Sequence, residues 1–153
     1  MQEKKDIFDK LMALPVLNIL EPFYKAHKEV LLYLFFGGLT FIISIASYAF
    51  FDITMEMNEL VANIFSWIIA VLFAYITNRT WVFENTKSSA AGIVQELIMF
   101  MSGRVATLVV EEVILLVFIT WLGFGSMVVK IVAQVIVIVL NYIISKLIVF
   151  KEK

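Results

Sequence analysis

The sequence predicts an all-α integral membrane protein: four transmembrane helices forming two parallel-repeat helical hairpins, preceded by an interfacial amphipathic helix. Three observations carry this. The 153 residues are 62% hydrophobic with a mean hydropathy of +0.97, whereas a soluble domain is nearer about half apolar. Charged residues make up only 16% and gather in the tails and connections. Four apolar runs are each long enough, at about 1.5 Å per residue, to cross about 30 Å of hydrocarbon.

Residues 1–29 form a mixed N-terminal segment. Lys4, Lys5, Asp6, Asp9 and Lys10 alternate with Ile7, Phe8, Leu11 and Leu14, a spacing that gives one apolar helical face. Pro15 and Pro22 interrupt it. Acids near its start and the lack of a long apolar core before Pro15 exclude a secretory signal peptide. The expectation is a short helix lying on the cytoplasmic membrane surface. Residues 30–153 then form a four-helix transmembrane domain with no second, soluble domain.

The first span is Val30–Phe51. The second is Leu60–Thr77, flanked by Arg79 and the interfacial aromatics Trp81 and Phe83. The third is Leu97–Leu122, long enough to tilt. The fourth is Ser126–Ile144, followed by Lys146. Lys and Arg counts orient them. Lys4, Lys5, Lys10, Lys25 and Lys28 precede the first span, Arg79 and Lys87 lie between the second and third, and Lys146, Lys151 and Lys153 follow the fourth. The connections 52–59 and 123–126 carry no base. Both termini and the middle connection are therefore expected in the cytoplasm of a multi-pass plasma-membrane protein.

The second and fourth spans end alike. Tyr75, Ile76, Arg79, Val82 and Phe83 correspond to Tyr142, Ile143, Lys146, Val149 and Phe150 at an offset of 67 residues. Val61 meets Val128, Ile64 meets Ile131 and Thr40 meets Thr107 in the same register. A duplicated hairpin explains this, with both copies starting and ending in the cytoplasm and related by an axis along the membrane normal. The base of each copy sits where the helix leaves hydrocarbon, in reach of lipid phosphates.

The third span carries Arg104, Glu111 and Glu112. Ionisable groups at a bilayer centre cost a few kcal/mol each on insertion scales, so a cavity, a bundle interior or a function must offset them. Arg104 and Glu111 lie within about 20° on one face and roughly 10 Å apart along the axis, with Thr107 between them. That separation is too long for a direct pair, which sends their partners to other helices, water or a substrate. Glu112 is turned by about 100°, toward a second groove or another subunit. On the fourth span Lys130, Gln134, Asn141 and Ser145 share a face. Asn63, Ser66 and Asn78 run together on the second, and Gly37, Thr40, Ser44 and Tyr48 on the first. Small residues and amides are ordinary interhelical glue, but glue does not need charge. In repeat register Arg104, Glu111, Glu112 and Lys130 meet Gly37, Ser44, Ile45 and Asn63, so the first hairpin lacks these charges and the second carries them on the same scaffold.

Other chemistry is thin. There is no Cys and one His, His27, which removes disulfides, thiolate catalysis and a Cys-based metal site. No phosphate loop, nucleophile elbow or metal-spaced His/Glu pair occurs, so no enzyme, cofactor or metal is expected. A net charge of −1 gives no field for nucleic acid.

Four spans in about 150 residues, Phe35-Phe-Gly-Gly38 opening the first, and the endings Asn78-Arg-Thr-Trp-Val-Phe83 and Asn141-Tyr-x2-Ser-Lys-x2-Val-Phe150 resemble the GtrA-like family over about residues 30–151. The resemblance implies translocation of a polyprenyl-phosphate-linked sugar across the bacterial plasma membrane, by a flippase rather than a glycosyltransferase. The sugar would go to O-antigen, teichoic acid or another cell-wall polysaccharide. Arg104 and Lys130 fit the family pattern; Glu111 and Glu112 rest on physics alone. On this reading Arg104, Lys130, Arg79 and Lys146 bind the substrate phosphate, Arg being its best bidentate partner. Asn63, Gln134, Asn141, Glu111 and Glu112 bind sugar hydroxyls or couple transport to protons. Expected partners are the lipid-linked sugar, membrane lipids, a membrane glycosyltransferase and, from the small size of a four-span cage, a second copy of the chain. Two alternatives stand beside it: a proton-coupled exporter of small cations resembling the small multidrug-resistance type, against which Arg104 on the Glu111 face argues, and a non-transport accessory subunit of a membrane glycosyltransferase.

Overall fold

The computed structural model of the chain describes residues 6–83 and 86–151, apart from the side chains of Glu59, Leu60, Ser126, Met127 and Lys130. Among the described residues there are helices and no strands. The chain divides into two units, Met1–Glu84 and Asn85–Lys153.

The first unit begins with α1, Ile7–Met12. A reciprocal capping box starts it: Asp6 Oδ1 accepts from the Asp9 amide at 2.9 Å, and Asp9 Oδ2 accepts from the Asp6 amide at 3.0 Å. Such a box satisfies two amides that helix geometry leaves open. A short 3-10 turn, Asn18–Leu20, leads into α2, Glu21–Ala49. The N-terminal segment thus differs from the expected amphipathic stretch. Pro22 does not interrupt a helix; it lies in the first turn of α2, where its missing N–H would be unpaired anyway. Pro15 does lie in a break, the turn over residues 13–17 that follows α1, and a second break falls at His27, whose φ of −126° and ψ of 20° are not helical. Phe8 leaves the predicted apolar face to pack edge-on against Phe35 and Phe36 (5.9 and 5.7 Å), while Ile7, Leu11 and Leu14 remain exposed. Lys28 secures the contact, its Nζ lying 2.8 Å from both Asp6 and Asp9. α3, Glu59–Thr77, packs back on α2.

The second unit contains α4, Ala90–Leu115, and α5, Ser126–Ile144, which pack on each other. The Ser89 hydroxyl caps α4 by accepting the Gly92 amide at 3.1 Å. Gly123, at φ 71°, turns the chain between α4 and α5 in the left-handed region that glycine tolerates.

Among the described residues, the four long helices each finish in a widened π turn: Phe50–Thr54, Asn78–Val82, Leu116–Trp121 and Ser145–Val149. α3 and its π turn match α5 and its π turn residue for residue at the 67-residue offset. Side-chain packing follows the same register. Tyr33 meets Phe83 with centroids 6.4 Å apart and planes at 54°; Phe100 meets Phe150 at 6.3 Å and 56°. In each unit the residue closing the π turn stands on an aromatic within the preceding long helix.

Among the described residues, three stretches are long and apolar enough to cross a membrane: Asn18–Thr54, Val61–Val82 and Ile131–Val149. The remaining long helix, α4, is not among them and carries Arg104, Glu111 and Glu112.

Candidate functional site

The second hairpin holds a polar ladder between its two helices. At the bottom rung, Thr107 is buried and its hydroxyl lies 2.9 Å from Asn141 Oδ1 and 3.1 Å from the Arg104 carbonyl. At the upper rung, Gln134 Nε2 donates to Glu111 Oε1. Glycine makes the close approach beside the lower rung feasible: a Cβ on Gly103 would fall 2.7 Å from Ile144 Cγ2. Arg104 follows Gly103 and is half-buried. Its guanidinium stands 4.9 Å from the centroid of the Phe100 ring, one turn back on the same helix, an arrangement that favours a cation over the ring's negative face.

The predicted site residues are therefore placed unevenly. Arg104, Glu111, Gln134 and Asn141 belong to the ladder. Arg104 finds an aromatic ring on its own helix, whereas only partners beyond α4 were expected; the i−4 position of Phe100 makes this local contact available. Gln134 and Asn141 share a face as expected, yet Asn141 and Ser145 are buried while Gln134 is exposed. The tight contact of Gly103 is with Ile144, the residue before Ser145. Glu112 is exposed and stands apart from the ladder, in keeping with its 100° turn. Asn63 is also exposed, and its carbonyl accepts from Ser66 Oγ at 2.9 Å. Lys130, the remaining predicted phosphate host, lies outside the described side chains, as do Lys4, Lys5 and Lys153 of the orientation argument.

Arg79 and Lys146 occupy equivalent places in the π turns that end α3 and α5. Arg79 is half-buried. Lys146 is exposed, with Nζ donating to the Tyr142 hydroxyl at 3.3 Å and standing 5.6 Å from that ring. Near Arg79, Trp81 stacks on Phe36 at 5.4 Å and 18°.

In the first hairpin the equivalent positions are built differently. Thr40, the counterpart of Thr107, donates back to Phe36 O on its own helix at 2.7 Å. Ala74 stands where Asn141 stands, and Gly37 where Arg104 stands; a Cβ on Gly37 would meet nothing within 4 Å.

Two further polar residues are prominent. Glu96 is 0% exposed and accepts a hydrogen bond from the Lys87 amide. The Lys87 ammonium donates to Gln95 Oε1 at 2.7 Å, so the connection 86–89 is tied to the first turns of α4. The repeat register contained the signal for Glu96, since it aligns with Glu29 just as Phe100 aligns with Tyr33. Asn78, in the α3 π turn, is 3% exposed; its Nδ2 donates to Ala74 O at 2.7 Å. Its Oδ1 is buried without a hydrogen-bond partner among the described residues. No group of three or more His, Cys, Asp or Glu able to hold a metal ion occurs among the described residues.

The family model described as GtrA/DPMS, transmembrane domain, matches residues 32–150. The cell wall teichoic acid glycosylation protein GtcA of Listeria innocua is 33% identical over 125 residues, covering 82% of this chain and 86% of its own. The protein of the same name from Listeria monocytogenes is 34% identical with the same coverage. The uncharacterized membrane protein YwcD of Bacillus subtilis is 31% identical over 121 residues, covering 79% of this chain and 95% of its own.

Proposed function

The chain belongs to the GtrA/DPMS transmembrane-domain family, and from that premise we propose that it moves a polyprenyl-phosphate-linked sugar across the bacterial plasma membrane for glycosylation of a cell-wall polymer, teichoic acid being the leading candidate. The names of the Listeria relatives support the wall-polymer part of this reading. The ladder of the second hairpin supports the translocation part: a half-buried guanidinium, a carboxylate with its amide partner and a buried amide follow one another on two packed helices.

The chemistry divides by charge. A phosphate within a bilayer needs a cation, and Arg offers the fork that matches its oxygens. Arg104 is the principal host, with Lys130 on the facing helix and Arg79 and Lys146 at the cytoplasmic ends of their helices. Sugar hydroxyls both donate and accept, which suits Glu111, Gln134 and Asn141. The prenyl chain remains in lipid beside the exposed apolar faces. The chain spans the membrane four times with both termini in the cytoplasm, and it carries its cargo without breaking a bond. Export of small cations fits less well, because Gln134 occupies Glu111 and Arg104 would repel a cation on the same helix face.

The single observation carrying this reading is the Arg104 cation above Phe100, at a position where the first hairpin has Gly37. Purified protein in liposomes should flip a fluorescent polyprenyl-phosphate sugar. Arg104→Ala should reduce the rate by at least about 10-fold, the scale of one charge-assisted phosphate contact, with the variant still inserted and helical. Full activity of Arg104→Ala removes this mechanism. Inactivity of the wild type alone, restored by a membrane glycosyltransferase, would instead identify an accessory subunit.

A further inference from the structure

We infer that Asn78 reads the sugar rather than the phosphate of the lipid-linked substrate: its Oδ1 accepts a hydrogen bond from a sugar hydroxyl beside Arg79. This rests on the proposed function and adds to it a recognition residue in the first hairpin. The orientation of the Asn78 amide is fixed by chemistry. Its nitrogen must face the Ala74 carbonyl, 2.7 Å away, because an amide oxygen there would oppose another oxygen. That leaves Oδ1 as the free end of the amide, buried and without a donor among the described residues. A buried acceptor left unsatisfied costs about 1–3 kcal/mol, and native structures rarely retain one without an ordered water, a ligand or a functional role.

The missing partner must be a donor. An ionised phosphate diester has no proton to give, so the phosphate that Arg79 attracts cannot fill this position. A hydroxyl can. Asn78 and Arg79 are consecutive in the π turn that ends α3, where the backbone follows wider i to i+5 bonding; the Phe83 amide donates to Asn78 O at 2.9 Å. Such turns interrupt the regular helical face and are frequent at functional sites. The turn thus carries a half-buried cation and a buried acceptor on consecutive residues, the two groups needed to hold a sugar through its phosphate and one of its hydroxyls once the substrate opens a path to Oδ1.

The test compares two lipids on purified protein in detergent: undecaprenyl phosphate, and undecaprenyl phosphate carrying glucose, galactose or N-acetylglucosamine. Asn78→Leu removes the acceptor at similar volume, and the Ala74 carbonyl keeps the Thr77 hydroxyl at 3.1 Å. The expected result is a roughly threefold to tenfold weaker Kd for the preferred sugar lipid, the range of one neutral hydrogen bond, with the Kd for undecaprenyl phosphate unchanged. Arg79→Gln should weaken both. Equal weakening of both lipids by Asn78→Leu, or no weakening of either, overturns the inference. A series of monodeoxy sugars on the wild-type protein provides a second measurement that needs no variant. Loss of one particular hydroxyl should weaken binding by the same factor, and indifference to every deoxygenation overturns the assignment. If the wild type binds undecaprenyl phosphate but gains nothing from any sugar, this inference fails while phosphate binding stands. If it binds neither lipid, the proposed function fails as well.

Discussion

The Thr107 hydroxyl lies 2.9 Å from Asn141 Oδ1, and this buried contact joins α4 to α5. Its counterpart Thr40 turns back onto Phe36 O of its own helix. One scaffold is thus used in two ways. Where the first hairpin places Gly37 and Ala74, the second places Arg104 and Asn141, and the cross-helix pair sits one turn from the cation. Thr107 also points its hydroxyl at the Arg104 carbonyl at 3.1 Å, so the pair helps to fix the backbone from which the guanidinium projects.

This pair predicts a measurable coupling. Thr107→Val and Asn141→Leu should each destabilise the protein, and the double variant should lose less than the sum. Interhelical hydrogen bonds in membrane proteins average about 0.6 kcal/mol in such cycles, with a maximum near about 1.7. Denaturant unfolding in mixed micelles checks this. A coupling of zero means that the two side chains do not support each other.

Gly103 predicts a steric effect. A Cβ there would come within 2.7 Å of Ile144 Cγ2, well inside contact. Gly103→Ala should cost about 1–3 kcal/mol, the usual range for overpacking. It should also lower transport, because Arg104 is the next residue. Adding Ile144→Ala removes the clashing methyl and should recover part of the stability. Thermal unfolding of the single and double variants decides it; a harmless Gly103→Ala would mean that α5 yields freely at this point.

Much of this architecture was legible in the sequence because apolar length and repeat register are both one-dimensional signals. The expected fourth span, Ser126–Ile144, coincides with α5. The shared endings at Tyr75–Phe83 and Tyr142–Phe150 reappear as equivalent π turns and ring pairs. Helical spacing correctly separated Glu111, which Gln134 engages, from Glu112, which is exposed. Other features depend on which neighbour each side chain meets, and spacing does not encode that. Asn63 and Asn78 fall on nearly the same stripe, yet Asn63 is exposed and Asn78 buried. Likewise a face drawn through Ile7, Phe8, Leu11 and Leu14 hides the fact that Phe8 alone is drawn onto Phe35 and Phe36. Glu96 could have been found by extending the repeat backward to Glu29. Its burial could not, because it depends on the connection folding back to offer the Lys87 amide.

Glu96 predicts a graded response. Glu96→Gln keeps a carbonyl oxygen for the Lys87 amide and should be mild. Glu96→Leu leaves that amide unsatisfied and should cost about 1–3 kcal/mol. The loss should be local as well as global: with the connection released from α4, trypsin should cut after Lys87 several-fold faster than in the wild type. Equal cleavage rates in Glu96→Leu and the wild type would show that this carboxylate does not hold the connection.

The clasp between α1 and α2 predicts a pH dependence of known sign. Burial alone would raise the Asp6 carboxyl, but the hydrogen bonds from Lys28 and the Asp9 amide outweigh it and hold Asp6 below its ordinary value of 3.8. A carboxyl whose folded value is depressed binds its proton more readily in the released state. Its contribution is therefore complete above the ordinary value and is lost as pH falls through the lower, folded value. Protection of the α1 amides, read by hydrogen exchange and corrected for the intrinsic rate at each pH, should stay constant from about pH 7 to about pH 5 and collapse below about pH 4. Lys28→Gln removes the cation that both carboxylates share at 2.8 Å, so it should lower protection at pH 7 and flatten the acid transition. Asp6→Asn should do the same while also weakening the cap of α1, since an amide accepts the Asp9 N–H less strongly than a carboxylate. Protection that stays level down to pH 3 in the wild type would mean that Phe8 against Phe35 and Phe36 holds α1 in place without the ion pairs.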